Sequence, residues 1–237
     1  MGSEPTAGAL LAAGSEALIE AAFRTGDYRS AGRLLEAARD RSRQTRDRVD
    51  EAAALTRLGM LWHFAALDGD PAGADRAIEE RLFSGALVIQ READDPAGAA
   101  ESLFGLGLVQ QVRRGDWDNA MPFYQEALTL AERYADEMVR SEVHRHIGFF
   151  HVYAAGDVEQ GLRHLRMSQV LRERYGDPRR VAVGTLALGE AEWAAGNRAE
   201  AVRLLREAVH QARTTRLSPQ RIGWAEHALR QAEGERE

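Results

Sequence analysis

Histidine, arginine and carboxylate side chains carry what chemistry this sequence could perform. His144, His146 and His151 are close in sequence, and imidazole can act as a base or a metal ligand. On a helix His144 and His146 would lie about 200° apart, on opposite sides. His144 and His151 would share a face, two turns or about 10.5 Å apart. No pair can hold one metal ion without a ligand from another helix, so the pattern reads as histidines packed between helices. Glu207-x-x-His210 is a single Glu-x-x-His, whereas a carboxylate-bridged dimetal bundle needs two, and it reads as a solvated helix face. No Gly-x-Ser-x-Gly, His-Glu-x-x-His or phosphate-binding glycine loop occurs.

The basic residues narrow the chemistry further. All 31 are Arg, so Schiff-base catalysis, a P-loop lysine and a lysine general base are absent. The same skew fits a GC-rich bacterial genome of actinobacterial type. There is no cysteine, which excludes disulfides, thiolate metal sites and a cysteine nucleophile and fits a reducing cytosol. No catalytic residue, metal or cofactor is expected. The net charge is −6 and the isoelectric point about 5.7, so no global counterion-release term favours nucleic acid. The densest basic run, Arg39, Arg41, Arg43, Arg46 and Arg48, is interleaved with Asp40, Asp47 and Asp50 and predicts a salt-bridged helix surface. No stretch approaches 18 uninterrupted apolar residues, and no basic-then-apolar leader opens the chain. A cytoplasmic protein without a membrane span is expected.

The elements that must position these side chains repeat. An apolar-Gly pair inside a helical stretch occurs at Leu58-Gly59, Leu106-Gly107, Ile147-Gly148 and Leu188-Gly189. A turn follows at Gly26-Asp27, Gly69-Asp70, Gly115-Asp116, Gly156-Asp157 and Gly196-Asn197, with successive turns 43, 46, 41 and 40 residues apart. A period in this range marks stacked two-helix units, none of which can bury its apolar face alone. Each mid-helix Gly costs about 1 kcal/mol relative to Ala, so a recurring one implies close approach of a neighbouring helix. The turn Gly ends one helix in a left-handed conformation, and the Asp or Asn caps the next. Helices are predicted at 9–25, 28–46, 49–67, 73–93, 97–114, 117–135, 138–155, 158–175, 179–195, 198–215 and 219–233. Asp95-Pro96, Asp177-Pro178 and Ser218-Pro219 are N-cap-plus-proline starts. Residues 1–8 read as a flexible N-terminus and 9–237 as one helical-repeat domain.

The chain resembles the tetratricopeptide repeat family, whose helical pairs follow W-x-x-L-G-x-x-Y and then A-x-x-x-F. The likeness rests on Leu55-x-x-Leu58-Gly59-x-x-Trp62 in the second unit and on Leu103-x-x-Leu106-Gly107 with Ala120-x-x-x-Tyr124 in the third. The fourth gives His144-x-x-Ile147-Gly148-x-x-His151 with Gly161-x-x-x-Leu165, the fifth Thr185-x-x-Leu188-Gly189 with Ala201-x-x-x-Leu205. The first unit keeps only its turn and Ala31-x-x-x-Leu35, with Ile19 where the Gly is expected. Units of 40 to 46 residues exceed the family's usual length of about 34. The resemblance implies an all-α, right-handed alpha-alpha superhelix of about five hairpins, closed by helix 219–233 as a cap. In that helix Ile222, Trp224, Ala225, Ala228 and Leu229 are apolar and Arg221, Glu226 and Arg230 polar. In the second unit Leu82, Phe83, Ala86, Leu87, Ile89 and Gln90 give a broad apolar surface, read either as a wedged core helix or as a self-association face making a homodimer.

In the resembled family the first helices line a concave groove. The family's lining positions correspond here to Thr56, Met60, His63 and Phe64; Phe104, Leu108, Gln111 and Val112; Arg145, Phe149, Val152 and Tyr153; and Leu186, Glu190, Trp193 and Ala194. This set is aromatic and short of charge, and implies capture of a peptide or protein partner, with Arg145, Phe149 and Tyr153 as one stripe. Family members that hold a partner's C-terminal carboxylate use Lys and Asn, which these faces lack. The expected function is a non-catalytic interaction scaffold, with a role in a bacterial regulatory pathway; the alternative is a small-molecule-binding protein or an enzyme of specialised metabolism on the same fold.

Overall fold

Helices start in this chain where a short side chain can accept the otherwise orphaned N–H groups of a first turn. A computed structural model describes residues 4–70 and 73–234. Its helices are α1 (Ala7–Glu20), α2 (Tyr28–Thr45), α3 (Arg48–Leu67), α4 (Arg76–Glu92), α5 (Pro96–Leu108) and α6 (Trp117–Tyr134), followed by α7 (Glu137–Phe150), α8 (Val158–Tyr175), α9 (Pro178–Ala194), α10 (Arg198–Thr214) and α11 (Pro219–Glu233). Among the described residues there is no strand, and the all-α array of hairpins followed by one further helix is as expected. The carboxylates of Asp27, Asp47, Asp75, Asp95, Asp116, Asp136, Asp157 and Asp177 each accept a backbone N–H at a helix start, an interaction typically contributing about 1 kcal/mol. Ser218 does the same for α11. Two expected caps differ. Asp75 rather than Asp70 opens α4, and Asn197 instead donates its amide to Glu192 at 2.7 Å. Of the N-terminal stretch, residues 1–3 lie outside the described ones, and Thr6 caps α1.

The turn glycines Gly26, Gly69, Gly115, Gly156 and Gly196 all have φ between 70° and 79°, the left-handed conformation that ends a helix cheaply only at glycine. Three first helices widen before they end. Ala21–Thr25, Val109–Arg113 and His151–Ala155 are π-helical, with backbone bonds spanning five residues rather than four. Side chains in such a turn land at angles that an α-helix would not give them.

The helices form two compact units, one ending at Ala135 and the other starting at Asp136. In the first, the hairpins α1/α2, α3/α4 and α5/α6 stack through α2 on α3 and α4 on α5, and α3 packs beside both α1 and α5. In the second, α7/α8 and α9/α10 stack through α8 on α9, α7 lies beside α9, and α11 packs on α10.

Each hairpin closes on a glycine. A Cβ built on Gly59 would stand 2.7 Å from the Phe83 ring; one on Gly148, 2.7 Å from Leu165 Cγ and 3.1 Å from the Gly161 carbonyl; one on Gly189, 2.9 Å from Leu205. A Cβ on Gly107 would enter the Tyr124 ring. The first unit of the repeat obeys the same rule, which corrects its register: Gly14, not the position of Ile19, meets Leu35, at 2.7 Å. Gly14 stands twelve residues before its turn glycine, where the others stand seven to ten before theirs, and that spacing concealed it. In α4 Phe83, Ala86, Leu87, Ile89 and Gln90 are all buried, so this surface is core, with Val88 exposed beside it. In α11 Ala225, Ala228 and Ala232 are buried as the cap requires. Of the polar residues of that helix Arg221 is buried, its guanidinium over the ring of Trp224, which is exposed although apolar, because a long arginine stem can cover apolar surface.

Two glycines inside helices should therefore respond oppositely to the same change. Gly148→Ala is expected to lower stability by about 1–3 kcal/mol through overpacking, outweighing its helix propensity. Gly223→Ala in α11, where a Cβ meets nothing within 4 Å, should raise it by up to about 1 kcal/mol. Chemical denaturation of both variants checks this; equal stabilisation by both would remove the packing role of the repeat glycine.

Candidate functional site

The expected groove residues of the first unit are mostly spent on packing. His63, Phe104, Leu108 and Gln111 are buried, as is Thr56, while Met60 and Phe64 are half-buried and Val112 is exposed. Gln111 accepts a hydrogen bond from the Tyr124 hydroxyl at 2.6 Å, and Phe104 packs against the same ring. His63 Nδ1 lies 2.9 Å from Glu79 Oε1, and Arg113 Nε is 3.2 Å from Glu79 Oε2. Glu79 stands four residues before Phe83, the place that Ala31, Ala120, Gly161 and Ala201 fill in the other hairpins. This fully buried carboxylate therefore takes room that a small residue would leave. Arg113 also donates to the Gly73 carbonyl at 2.7 Å, tying the turn before α4 to the π-helical end of the first helix after it.

The second unit is different. Glu142 on α7 sits among Arg145 from its own helix, Arg172 from α8 and Arg180 from α9, at 3.0, 2.8 and 3.5 Å. Burial alone would push its carboxyl up, but Arg172, Arg145 and Arg180 outweigh it and hold the group well below the usual carboxylate range. Arg172 is itself buried, which pushes its guanidinium down to about 10 despite Glu142. Glu142 takes two hydrogen bonds from Arg145, which places that guanidinium 5.4 Å over the Phe149 ring. Phe149 in turn packs against Tyr153 at 5.8 Å and 46°.

Phe149, Tyr153, Glu190 and Trp193 line one cleft of about 430 Å³, with Ala194 beside them, Leu205 from α10 and Ala228 and Gln231 from α11 completing it. Five of the expected groove positions thus meet here. Val152 does not, being buried in the core with Leu162, Leu188 and Ala191, and half-buried Leu186 packs on the Leu205 and Ala228 cluster. Arg145 is held by Glu142, behind the aromatic wall. The α11 residues were not anticipated; the apolar face assigned to that helix was the available signal. Burial, opposed by Arg145, raises the Glu190 carboxyl, and burial with the nearby Glu190 pushes the Tyr153 hydroxyl up to about 12.

The histidines lie between helices. His144 Nδ1 is 2.9 Å from His164 Nδ1, the His151 ring stacks on His164, and Gln160 Nε2 is 3.1 Å from His151 Nε2. His164, on α8, was missed because nothing in the sequence pairs it with α7. Among the described residues no three His or carboxylate side chains converge to hold a metal ion. Burial, then His144 and His151, push His164 down to about 4. The arginine run on α2 and α3 is a surface of ion pairs, including Arg39–Asp40, Arg43–Glu51 and Arg48–Glu92. No described helix is long and apolar enough to cross a membrane.

Residues 102–138 match the family model described as tetratricopeptide repeat. No curated protein matches the chain. Among solved structures it is similar to BtubC from P. vanneervenii, with 20% identity over 80% of this chain and 74% of that one and a TM-score of 0.58. It is also similar to the nearly identical TPR-like repeats of a kinesin light chain-like protein from Podosopora anserina, in two crystal structures. In one, 17% identity covers 87% of this chain and 96% of that one, with a TM-score of 0.53; in the other it covers 96% and 97%, with a TM-score of 0.51. These likenesses establish a tetratricopeptide-like fold.

Acid should weaken the second unit in two stages. The unfolded chain protonates His164 near its ordinary value of 6.5 but the folded one only near 4, so stability declines across that window. Glu142, depressed by its guanidinium partners, contributes fully above its ordinary value of 4.5, and that contribution is lost as pH falls below it. Glu142→Gln leaves three guanidinium groups without their carboxylate and should cost about 3–5 kcal/mol near neutral pH, while flattening the lower, acidic limb of the stability profile. Urea titrations from pH 7 to 3 check this; an unchanged acidic limb would place the acid sensitivity elsewhere.

Proposed function

We propose that this tetratricopeptide-like array is a non-catalytic interaction scaffold, and that the cleft of its second unit holds a segment of a peptide or protein partner. One observation carries the reading: Phe149, Tyr153 and Trp193 present ring surface to a single open cleft whose walls are helices rather than loops. Aromatic side chains anchored this way offer large contact area at low ordering cost, which is how a few residues come to dominate binding. Unlike the buried His63 and Phe104, Tyr153 keeps half its surface in solvent. The fold supports the reading, since stacked helical repeats create extended binding surfaces.

The volume also falls within the range of about 300–1,000 Å³ that small ligands occupy, which makes small-molecule binding the second reading. Selection of displayed random peptides on the purified chain separates them. Enriched peptides should lose at least about tenfold in affinity, roughly 1.4 kcal/mol, with Phe149→Ala or Trp193→Ala at unchanged melting temperature. Peptides that bind both variants normally, yet are lost when exposed residues of α8 such as Met167 or Val170 are changed, would move the working surface to the second helices and overturn the proposal. Failure to enrich any peptide, with a small molecule retained in native mass spectrometry, would favour the second reading.

A further inference from the structure

The most buried carboxylates of these helices each take a basic partner. Glu51 meets Arg43 and Arg48, Glu79 meets Arg113, Glu142 meets three arginines, and Glu192 meets Arg166. Glu190 is half-buried, and although the charge of Arg145 acts on it, no hydrogen bond or ion pair joins it to a described residue. Instead it faces a cleft walled by Phe149, Tyr153 and Trp193. Arg145 offsets only part of what burial costs this carboxylate, whose pKa stays raised, and a cation entering from outside would offset more.

The rings around it suit one kind of cation. Two guanidinium groups of the chain already lie on them, Arg145 over Phe149 at 5.4 Å and Arg198 over Trp193 at 5.3 Å. Planar, weakly hydrated guanidinium stacks on aromatic faces and can fork two N–H bonds onto a carboxylate, whereas an ammonium does neither as well. Arg145 gives its hydrogen bonds to Glu142 and reaches Glu190 only through its charge, and Arg198 stacks on Trp193, so neither bonds to the Glu190 carboxylate. Gln231 on α11 adds an amide at the same cleft, within a space larger than one side chain requires.

Resting on the scaffold reading above, we propose that the cleft is a receptor for an arginine side chain of the partner segment, its guanidinium stacked among Phe149, Tyr153 and Trp193 and hydrogen-bonded to Glu190. The ionised carboxylate is the acceptor, so binding and deprotonation of Glu190 favour each other.

The test uses the intact chain and three N-acetylated, C-amidated tripeptides, Ala-Arg-Ala and its citrulline and norleucine counterparts, followed by the indole N–H resonance of Trp193. Citrulline keeps the planar shape without the charge. The arginine peptide is expected to shift that resonance saturably, with the citrulline and norleucine peptides at least about tenfold weaker. Glu190→Gln should abolish the preference for arginine over citrulline without lowering the melting temperature. If norleucine or citrulline binds as tightly as arginine, and Glu190→Gln changes nothing, the cleft takes an apolar segment and the arginine assignment fails while the scaffold reading survives. If the arginine peptide gives no saturable shift, the assignment also fails, and the displayed-peptide selection alone then decides whether the cleft is a partner site.

Discussion

The packing of one apolar side chain against one glycine, repeated hairpin by hairpin, is the contact on which everything else rests. Leu35 on Gly14, Phe83 on Gly59, Tyr124 on Gly107, Leu165 on Gly148 and Leu205 on Gly189 each bring the second helix of a pair closer to the first than any Cβ would permit. Glycine inside a helix is unfavourable by about 1 kcal/mol, so each contact must return more than that in buried area and dispersion. Phe83 shows how the constraint propagates: its ring contacts Gly59 in its own hairpin and also fills the space above Gly105 in the next. A single side chain thereby sets the spacing within one pair and between two.

Tight spacing leaves little room for charge, and the chain places charge inside nonetheless. Glu79 occupies a small-residue position and is tolerated because His63 and Arg113 meet it. Glu142 joins α7, α8 and α9 because each of those helices contributes an arginine to it. Such clusters add little net stability, since desolvation absorbs most of the Coulombic gain, but they penalise any arrangement that separates the partners. The consequence for the site is positional. Glu142 fixes Arg145, Arg145 covers one face of Phe149, and Phe149 packs against Tyr153 at the entrance of the cleft.

The parts of this architecture that depend on local chemistry were readable from the amino acids. Gly-Asp turns, Asp-Pro starts and the apolar-Gly period name the hairpins directly, because capping and left-handed turns involve residues a few positions apart. What was hidden depends on partners distant in sequence. Gly14 escaped notice because it stands farther from its turn glycine, Gly26, than the other repeat glycines stand from theirs. His63, Phe104 and Gln111 were expected in a groove, yet each is turned inward by a residue of another helix, Glu79 or Tyr124. The aromatic half of the cleft, Phe149, Tyr153 and Trp193, follows from register on α7 and α9; its far wall, Ala228 and Gln231, required knowing how α11 lies on α10. Arg145 was legible as a groove position but not as a committed partner of Glu142, since that depends on α8 and α9 delivering Arg172 and Arg180 to the same carboxylate.

A sequence specifies one structure when its local choices agree, and departures from that agreement concentrate where something other than folding is being served. In the second unit the agreement is close: glycines meet apolar groups, helix starts meet Asp, and Glu142 and Glu192 meet arginines. Glu190 departs from it. Replacing it with an apolar residue would relieve the desolvation that raises its carboxyl and extend the aromatic wall, so folding alone gives no reason for a carboxylate there. Arg145 lies over Phe149 and Arg198 over Trp193, and Phe149 packs against Tyr153, so each ring around Glu190 already has a neighbour. An aromatic cleft with one half-buried carboxylate that no arginine of the described residues bonds is well disposed to a planar cation, and that property comes from the same four side chains.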